Sequence, residues 1–459
     1  MPVNDYSRIP LSWRPDRSRL TPPVYISLAS LLESDIRSGA LLPGTRLPPQ
    51  RELADFLDIH FTTVTRAYDL CRERNLIYGV TGRGTFVASP GTVDNPAKQD
   101  EEIVELGVVV GFPELVSQVV DAARLVLMQP DIGSLFGYDN RNGLARHREI
   151  GVQWMRSSGV NVGIDQTAVF AGSQNAITVA LLSLFQLGDV IATDCFTYAN
   201  MLSAARLAHL RIEPIIGDDE GMIPDALDEA CRQKRVRGLF LMPNCANPTT
   251  ITMTEKRRDD IARVCEKYGL IVLEDDAAIL PVAGRRPLFD RIPKQTLYIS
   301  AATRHLAPGL RVAFAAFPEQ FSTPIVQGLY HTSIKASALD AEIITQIILS
   351  GNAQTLLQSK YRMALEANRI FDRTFGLSPT KKASFFRCLM LKPSNESGRD
   401  IENRLLKKGL RVCHSYRFSV DKNPQQQFLR ISVSSAPNLR ILDMALSRLR
   451  SLAVCASLI

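Results

Sequence analysis

TAVFAGSQNAITVALLSLFQLGDVIATD, residues 167–194, reads as a short β-rich run, a glycine, an apolar helix and a second β-rich run. The same alternation continues outward on the C-terminal side. ANMLSAARLAHL (199–210) is helical in pattern, IEPIIG (212–217) and RGLFLMP (237–243) are strand-like, and TEKRRDDIARVCEKYG (254–269) is helical again. LIVLEDD (270–276), TLYISA (296–301) and RVAFAAF (311–317) complete the set of strands. Strands that are apolar throughout and alternate with helices predict a mostly parallel sheet covered on both faces. Ligands on such α/β sheets bind beyond the C-terminal strand ends. Gly172-Ser173-Gln174 opens a helix at one such end, where backbone amides can cradle a phosphate, and Asp275 lies at another. After about residue 330 helices (338–351, 357–375, 439–453) mix with strands FFRCLML, LRVCHS and QFLRISVSS, predicting a smaller α+β subdomain.

The N-terminal part has a different pattern. Val24, Leu28, Leu31, Leu32 and Ile36 recur at helical spacing, and the helix is expected to stop at Gly39. A Pro/Gly-punctuated loop follows, then RELADFLDI (51–59) and TTVTRAYDLCRERNL (62–76) as two more helices. IYGVTGRGTFVAS (77–89) reads as a hairpin around Gly82-Arg83-Gly84. This order predicts a winged helix-turn-helix at 20–89, a polar tether at 90–103 and a large domain at 104–459. A helix fits the major groove and presents base-reading groups at its N-terminus. The candidates for DNA contact are therefore His60, Thr62, Thr63, Thr65 and Arg66, with Arg51 on the preceding helix and Arg83 at the hairpin tip.

Bulk properties agree with two or three domains and a nucleic-acid partner. The 459 residues are 45% hydrophobic and 22% charged, with net charge +7. Residues 1–90 hold 11 Arg, no Lys and 9 acids, so this part carries only a small excess of positive charge. Eight scattered cysteines form no C-x-x-C pair, which argues against zinc or a disulfide framework. The opening MPVNDYSRIP has no secretory pattern and no apolar run spans a bilayer, so a cytoplasmic protein with no membrane partner is expected.

The blocks PGTRLP-x-x-REL, T-V-x-R-A-Y and G-x-G-T-F-V identify residues 22–89 as resembling the GntR family, whose operators are double-stranded DNA. The remainder resembles fold-type I pyridoxal-phosphate-dependent transferases, as they occur in MocR-type regulators of that family. The resemblance implies roles for individual residues. Ser173 and Gln174 match the phosphate cup, Tyr198 the aromatic that stacks on the pyridine ring, and Asn247 the ring-hydroxyl contact. Asp275 matches the carboxylate that pairs the ring nitrogen, Arg311 a phosphate-binding arginine, and Arg430 the arginine that grips a substrate carboxylate. It also implies a homodimer.

Several positions depart from that pattern. The family stretch S-F-S-K-x-L-A-P-G-L-R reads SAATRHLAPGLR here, so counting back from Pro308 puts Arg304 where the imine-forming lysine belongs. A lysine can be neutralised and attack an aldehyde, whereas a guanidinium with a pKa above about 12 stays charged and does not. Ala301, Ala277 and Thr250 replace a serine, a tyrosine and a glycine of the same site, and His60-Phe61 replaces Ser/Thr-Arg in the DNA-reading helix. Arg304 is expected to pair with Asp275, leaving a pocket suited to a small anionic effector or to pyridoxal phosphate held without a covalent bond. The expectation is a DNA-binding transcriptional regulator that is not an enzyme. An active aminotransferase fused to a DNA-binding head is the alternative.

Overall fold

Apolar residues at helical spacing shape the first unit. The computed structural model describes residues 11–459 except 39, 43, 75, 81–83, 89–102, 113–115, 139–140, 277–285, 301–305, 381–382, 395 and 422–425. It divides into units 1–102 and 103–459. In the first, helices α1 (Val24–Arg37), α2 (Gln50–Leu57) and α3 (Phe61–Glu73) pack Leu28, Leu32, Leu53, Leu57, Val64 and Cys71 into one core. Full burial of a leucine contributes roughly 2 kcal/mol. Helix α2 follows Pro49 and ends at Asp58, which takes a left-handed conformation (φ 50°). His60 then caps α3: the Thr62 amide donates to His60 Nδ1 at 3.4 Å. The buried Tyr68 hydroxyl donates to the carbonyl of Pro48 at 2.9 Å, tying α3 to the loop before α2. Strands β1 (Ile77–Val80) and β2 (Gly84–Val87) form the predicted antiparallel hairpin, with Tyr78 stacked on Phe86 across it. The predicted tip residue Arg83, the helix stop Gly39 and the tether 90–102 lie outside the described residues.

The second unit carries all seven predicted strands in one sheet: β3 (Thr167–Phe170), β4 (Val190–Asp194), β5 (Arg211–Ile215), β6 (Val236–Leu241), β7 (Ile271–Asp276), β8 (Thr296–Ser300) and β9 (Ala313–Ala316). Their order across the sheet is β3-β9-β8-β7-β6-β4-β5. Six run parallel, and β9 is antiparallel to both neighbours. Helices α4 (Ser117–Leu127) and α5 (Ala145–Arg156) cover one face of the sheet. Helices α6 (Ser173–Leu184) and α7 (Ala199–Leu207) cover the other, and α8 (Pro224–Lys234) and α9 (Glu255–Tyr268) pack near its β5–β6 side. Helix α10 (Glu319–Ser333) joins the α6 face and α11 (Ala338–Leu349) the α4 face. Burial on both sides explains why these strands are apolar throughout instead of alternating.

The smaller subdomain is a three-stranded sheet, β10 (Phe386–Met390), β12 (Phe428–Ser432) and β11 (Cys413–His414) in that order. It packs against α12 (Asn352–Phe375), α13 (Gly398–Lys407) and α14 (Leu439–Cys455). No described helix is long and apolar enough to cross a membrane.

Candidate functional site

Gly172, Arg311 and Asp275 lie at the C-terminal edge of the parallel strands. Gly172 follows β3 and precedes α6 with φ 84°, a conformation that glycine adopts without strain. Arg311 stands just before β9, and because β9 runs against its neighbours it enters the sheet from this same edge. The two meet there: a Cβ placed on Gly172 would lie 2.5 Å from Nη2 and 2.8 Å from Cζ of Arg311. Ser173 is buried at the first turn of α6, where backbone amides point outward and favour an anion. Gln174 donates from Nε2 to the carbonyl of Asn200 at 3.3 Å, and its Oε1 is buried with no hydrogen-bond partner among the described residues. Asn200 Nδ2 in turn donates to the hydroxyl of Tyr198 at 3.2 Å. Glycine, helix N-terminus and guanidinium thus converge at one strand end.

Arg430 and Asn247, 183 positions apart, meet in the core: Arg430 Nη1 donates to Asn247 Oδ1 at 3.0 Å. Arg430 Nη2 donates to the carbonyl of Gly107, and the guanidinium lies 4.7 Å from the ring centroid of Phe418. Sheet register places Cys388 on one side of Arg430 and Cys413 on the other. These thiols read in the sequence as unremarkable scatter, because cross-strand neighbours appear only when the strands are paired. Burial pushes Cys388 up to about 12, so it stays a neutral thiol.

Asp275 is fully buried near the end of β7. Around it lies a polar network that sequence reasoning missed. Asp276 accepts from the hydroxyl of Tyr298 at 2.6 Å and from Asn244 Nδ2 at 3.0 Å. Arg258, with no exposed surface, donates to Asn244 Oδ1 at 2.8 Å and to the carbonyl of Pro243 at 3.0 Å. Glu274 accepts from the amides of Leu288 and Phe289 at 3.1 and 2.9 Å, yet burial still lifts its carboxyl to about 7. The network fixes the strand end that carries Asp275 and the turn leading to Asn247. Its signal was concealed because Arg258 sits in EKRRDDIARVCEKY, which reads as a solvated helix face. Arg304, with Ala301, His305 and Ala277, lies outside the described residues. Beyond it, Leu306 is buried, Pro308–Leu310 form a 3-10 turn, and Lys360 of α12 donates from Nζ to the carbonyl of Leu306 at 2.9 Å. Lys360 is buried, and that burial pulls its ammonium down to about 8.

In the first unit the predicted DNA-contacting residues divide. His60, Thr62 and Thr63 lie at the start of α3, with His60 and Thr62 exposed, Thr63 half-buried, and the Thr62 hydroxyl 2.7 Å from His60 Nδ1. Arg51 is exposed on α2, its guanidinium 5.7 Å from the ring centroid of Phe61. Thr65 donates to Gln50 Oε1 at 3.0 Å and to the carbonyl of Phe61 at 3.2 Å, so its hydroxyl joins α3 to α2. Arg66 lies over the ring of Tyr25 at 4.0 Å, turned toward α1.

Comparison with known proteins agrees with both units. Residues 110–449 match the family "Aminotransferase class I and II", and residues 25–87 match "Bacterial regulatory proteins, gntR family". The HTH-type transcriptional regulator YdeF of Bacillus subtilis is 31% identical over 98% of this chain and 99% of its own length. The probable rhizopine catabolism regulatory protein MocR of Rhizobium meliloti is 24% identical, covering 76% of each chain. Among solved structures, the α-aminoadipate aminotransferase LysN of Thermus thermophilus shares the fold of the large unit (TM-score 0.68, 22% identity, 76% of this chain and 91% of that one). The chain therefore belongs to the GntR-family transcriptional regulators that join a helix-turn-helix to a class I and II aminotransferase domain, the group that includes MocR.

Proposed function

We propose that the aminotransferase-like domain of this regulator is a ligand-responsive, dimer-forming module without transaminase activity. The observation that carries the reading is arginine at position 304, counted from the LAPGLR anchor whose Pro308 turn and Arg311 lie at the site edge. A permanent cation there neither bonds the aldehyde of pyridoxal phosphate nor accepts a proton from a bound amino acid.

The rest of the site still suits the cofactor's shape. The cradle of Gly172, Ser173, Gln174 and Arg311 fits its phosphate, and buried Asp275 fits its ring nitrogen. When bound, the group would supply an aldehyde and an electron-poor ring; the protein side would position it without a covalent link. Arg430, backed by Asn247, is the candidate grip for the carboxylate of a small effector. In the first unit, His60, Thr62, Thr63 and Arg51 are the candidate base and phosphate contacts, together with Arg83, which lies outside the described residues. Thr65 and Arg66 are occupied within the domain and act by placing α3.

A homodimer is supported by exposed apolar side chains in and after α4: Val120, Leu125 and Met128, with Phe136 and Tyr138 beyond. These side chains are the candidate association surface.

The test is borohydride reduction in the presence of pyridoxal phosphate, followed by peptide mass mapping. The expected result is a colourless protein with no pyridoxyl adduct at the site, together with measurable calorimetric binding of pyridoxal phosphate or an amino acid. The enzyme reading has one amine in its favour, the buried Lys360 that donates to the carbonyl of Leu306. An adduct mapped to Lys360, with transaminase turnover, would establish that alternative instead.

A further inference from the structure

Residues 12–20 precede the part of the chain that matches the gntR family, residues 25–87, yet they are built into the first unit. Trp13 is 4% exposed, and its indole donates to Asp35 Oδ2 on α1 at 2.8 Å. The Ser12 hydroxyl donates to the carbonyl of Arg46. Asp16 accepts from the amide and hydroxyl of Ser18 at 2.9 and 2.8 Å, capping the short 3-10 turn Arg17–Arg19. The Ser27 hydroxyl of α1 donates to the carbonyl of Arg19 at 3.3 Å. The segment is therefore an ordered arm held by its backbone and by one buried indole.

Its charges face solvent beside the reading helix. Arg17 donates from Nη1 to Asp58 Oδ2 at 3.0 Å and from Nη2 to the carbonyl of Asp58 at 3.4 Å. Asp58 ends α2 and stands two residues before His60, the cap of α3. Both partners are mostly exposed, at 60% and 67%, and such a pair contributes at most about 1 kcal/mol to stability. Arg19 is exposed, and its side chain makes no hydrogen bond or ion pair among the described residues. Asp58 holds Arg17 at the turn of the helix-turn-helix. Arg19 presents a second positive charge on a backbone already fixed.

We propose that this arm is a second DNA-contacting element in which Arg17 and Arg19 take backbone phosphates beside the groove entered by α3. The inference rests on the DNA-binding reading of α3 and adds a sequence-independent grip to it. The full chain is titrated into a labelled mixed-sequence duplex of about 30 base pairs across about 50–200 mM salt. Arg17→Gln with Arg19→Gln should weaken binding about three- to tenfold and make the slope of log K against log salt shallower by about 1.8, at about 0.9 per phosphate.

Asp58→Asn keeps a side chain that tolerates the left-handed conformation and releases Arg17. It should tighten binding, and most of that gain should vanish beside Arg17→Gln, whereas a long-range charge effect would give equal gains in both backgrounds. Arg362→Gln, exposed on α12 of the other unit, is the control and should leave affinity and slope unchanged. Wild-type affinity and slope in the double variant, or equal Asp58→Asn gains in both backgrounds, overturns the proposal. Should the double variant melt early, the Asp58 comparison alone decides. A wild-type chain that binds no duplex at about 50 mM salt defeats the DNA-binding reading itself, and the arm with it.

Discussion

Glu342 shows what a buried, hydrogen-bonded carboxylate implies for stability. His147 Nε2 lies 2.8 Å from Glu342 Oε2, Arg146 lies 2.9 Å from the same oxygen, and Gln346 donates to the other at 3.1 Å. The hydrogen bond from His147, then that from Gln346 and the charge of Arg146, hold Glu342 down to about 2 against the opposing effect of burial. An acid whose folded pKa is depressed stabilises the fold above its ordinary value, near 4.5, and that contribution is lost as pH falls from there through about 2. Glu342→Gln should therefore lower stability by about 1–3 kcal/mol at neutral pH, and the gap to wild type should narrow progressively from about pH 5 down to about pH 2 in thermal melts. A gap that persists at the acid end would mean that packing, not charge, is what the substitution disturbs. The two residues are 195 positions apart, so no local reading of the sequence joins them.

Helix and strand termini explain the cradle and the reading helix. Gly172 turns the chain from β3 into α6, and the space where its side chain would be is filled by Arg311. Gly172→Ala would impose a strained φ and push the guanidinium away. Binding of inorganic phosphate or pyridoxal phosphate should weaken at least about tenfold, at a stability cost of about 1–2 kcal/mol, read by calorimetry and thermal melts. Unchanged phosphate affinity would remove Gly172 and Arg311 from the site. Boundaries shift modestly from the sequence reading. Helix α2 spans Gln50–Leu57 where 51–59 was expected, because Asp58 turns left-handed. Helix α3 stops at Glu73 where 76 was expected. Its start is set by His60, a capping residue outside the usual Ser, Thr, Asp and Asn.

For the molecule as a whole, association and sheet order are the telling properties. The exposed Leu125 and Met128 of the α4 region, 65% and 78% accessible, should be covered in a dimer. Leu125→Glu with Met128→Glu is expected to shift the chain from dimer to monomer in analytical ultracentrifugation while the melting temperature at high protein concentration falls. A wild-type chain that sediments as a monomer at micromolar concentration would discard this surface. The sheet order carries a different lesson. Strand β9 is inserted antiparallel between β3 and β8, and this alone brings Arg311 to the edge where Gly172 waits. No local pattern in RVAFAAF reveals that direction, since an apolar strand reads the same whichever way it runs.

Local chemistry was readable from the letters. Strand and helix types, the winged hairpin, the glycine before α6 and the arginine in place of a lysine all depend on nearest neighbours or on residue identity, which folding does not change. Spatial meetings were not readable. Arg430 beside Asn247, Arg258 beneath the Asp276 network, Arg17 on Asp58 and Thr65 turned to Gln50 join residues from separate elements. Their partners are chosen by sheet order, by burial and by the geometry of loops, and these are settled by the free energy of the packed chain and not by any one segment of it.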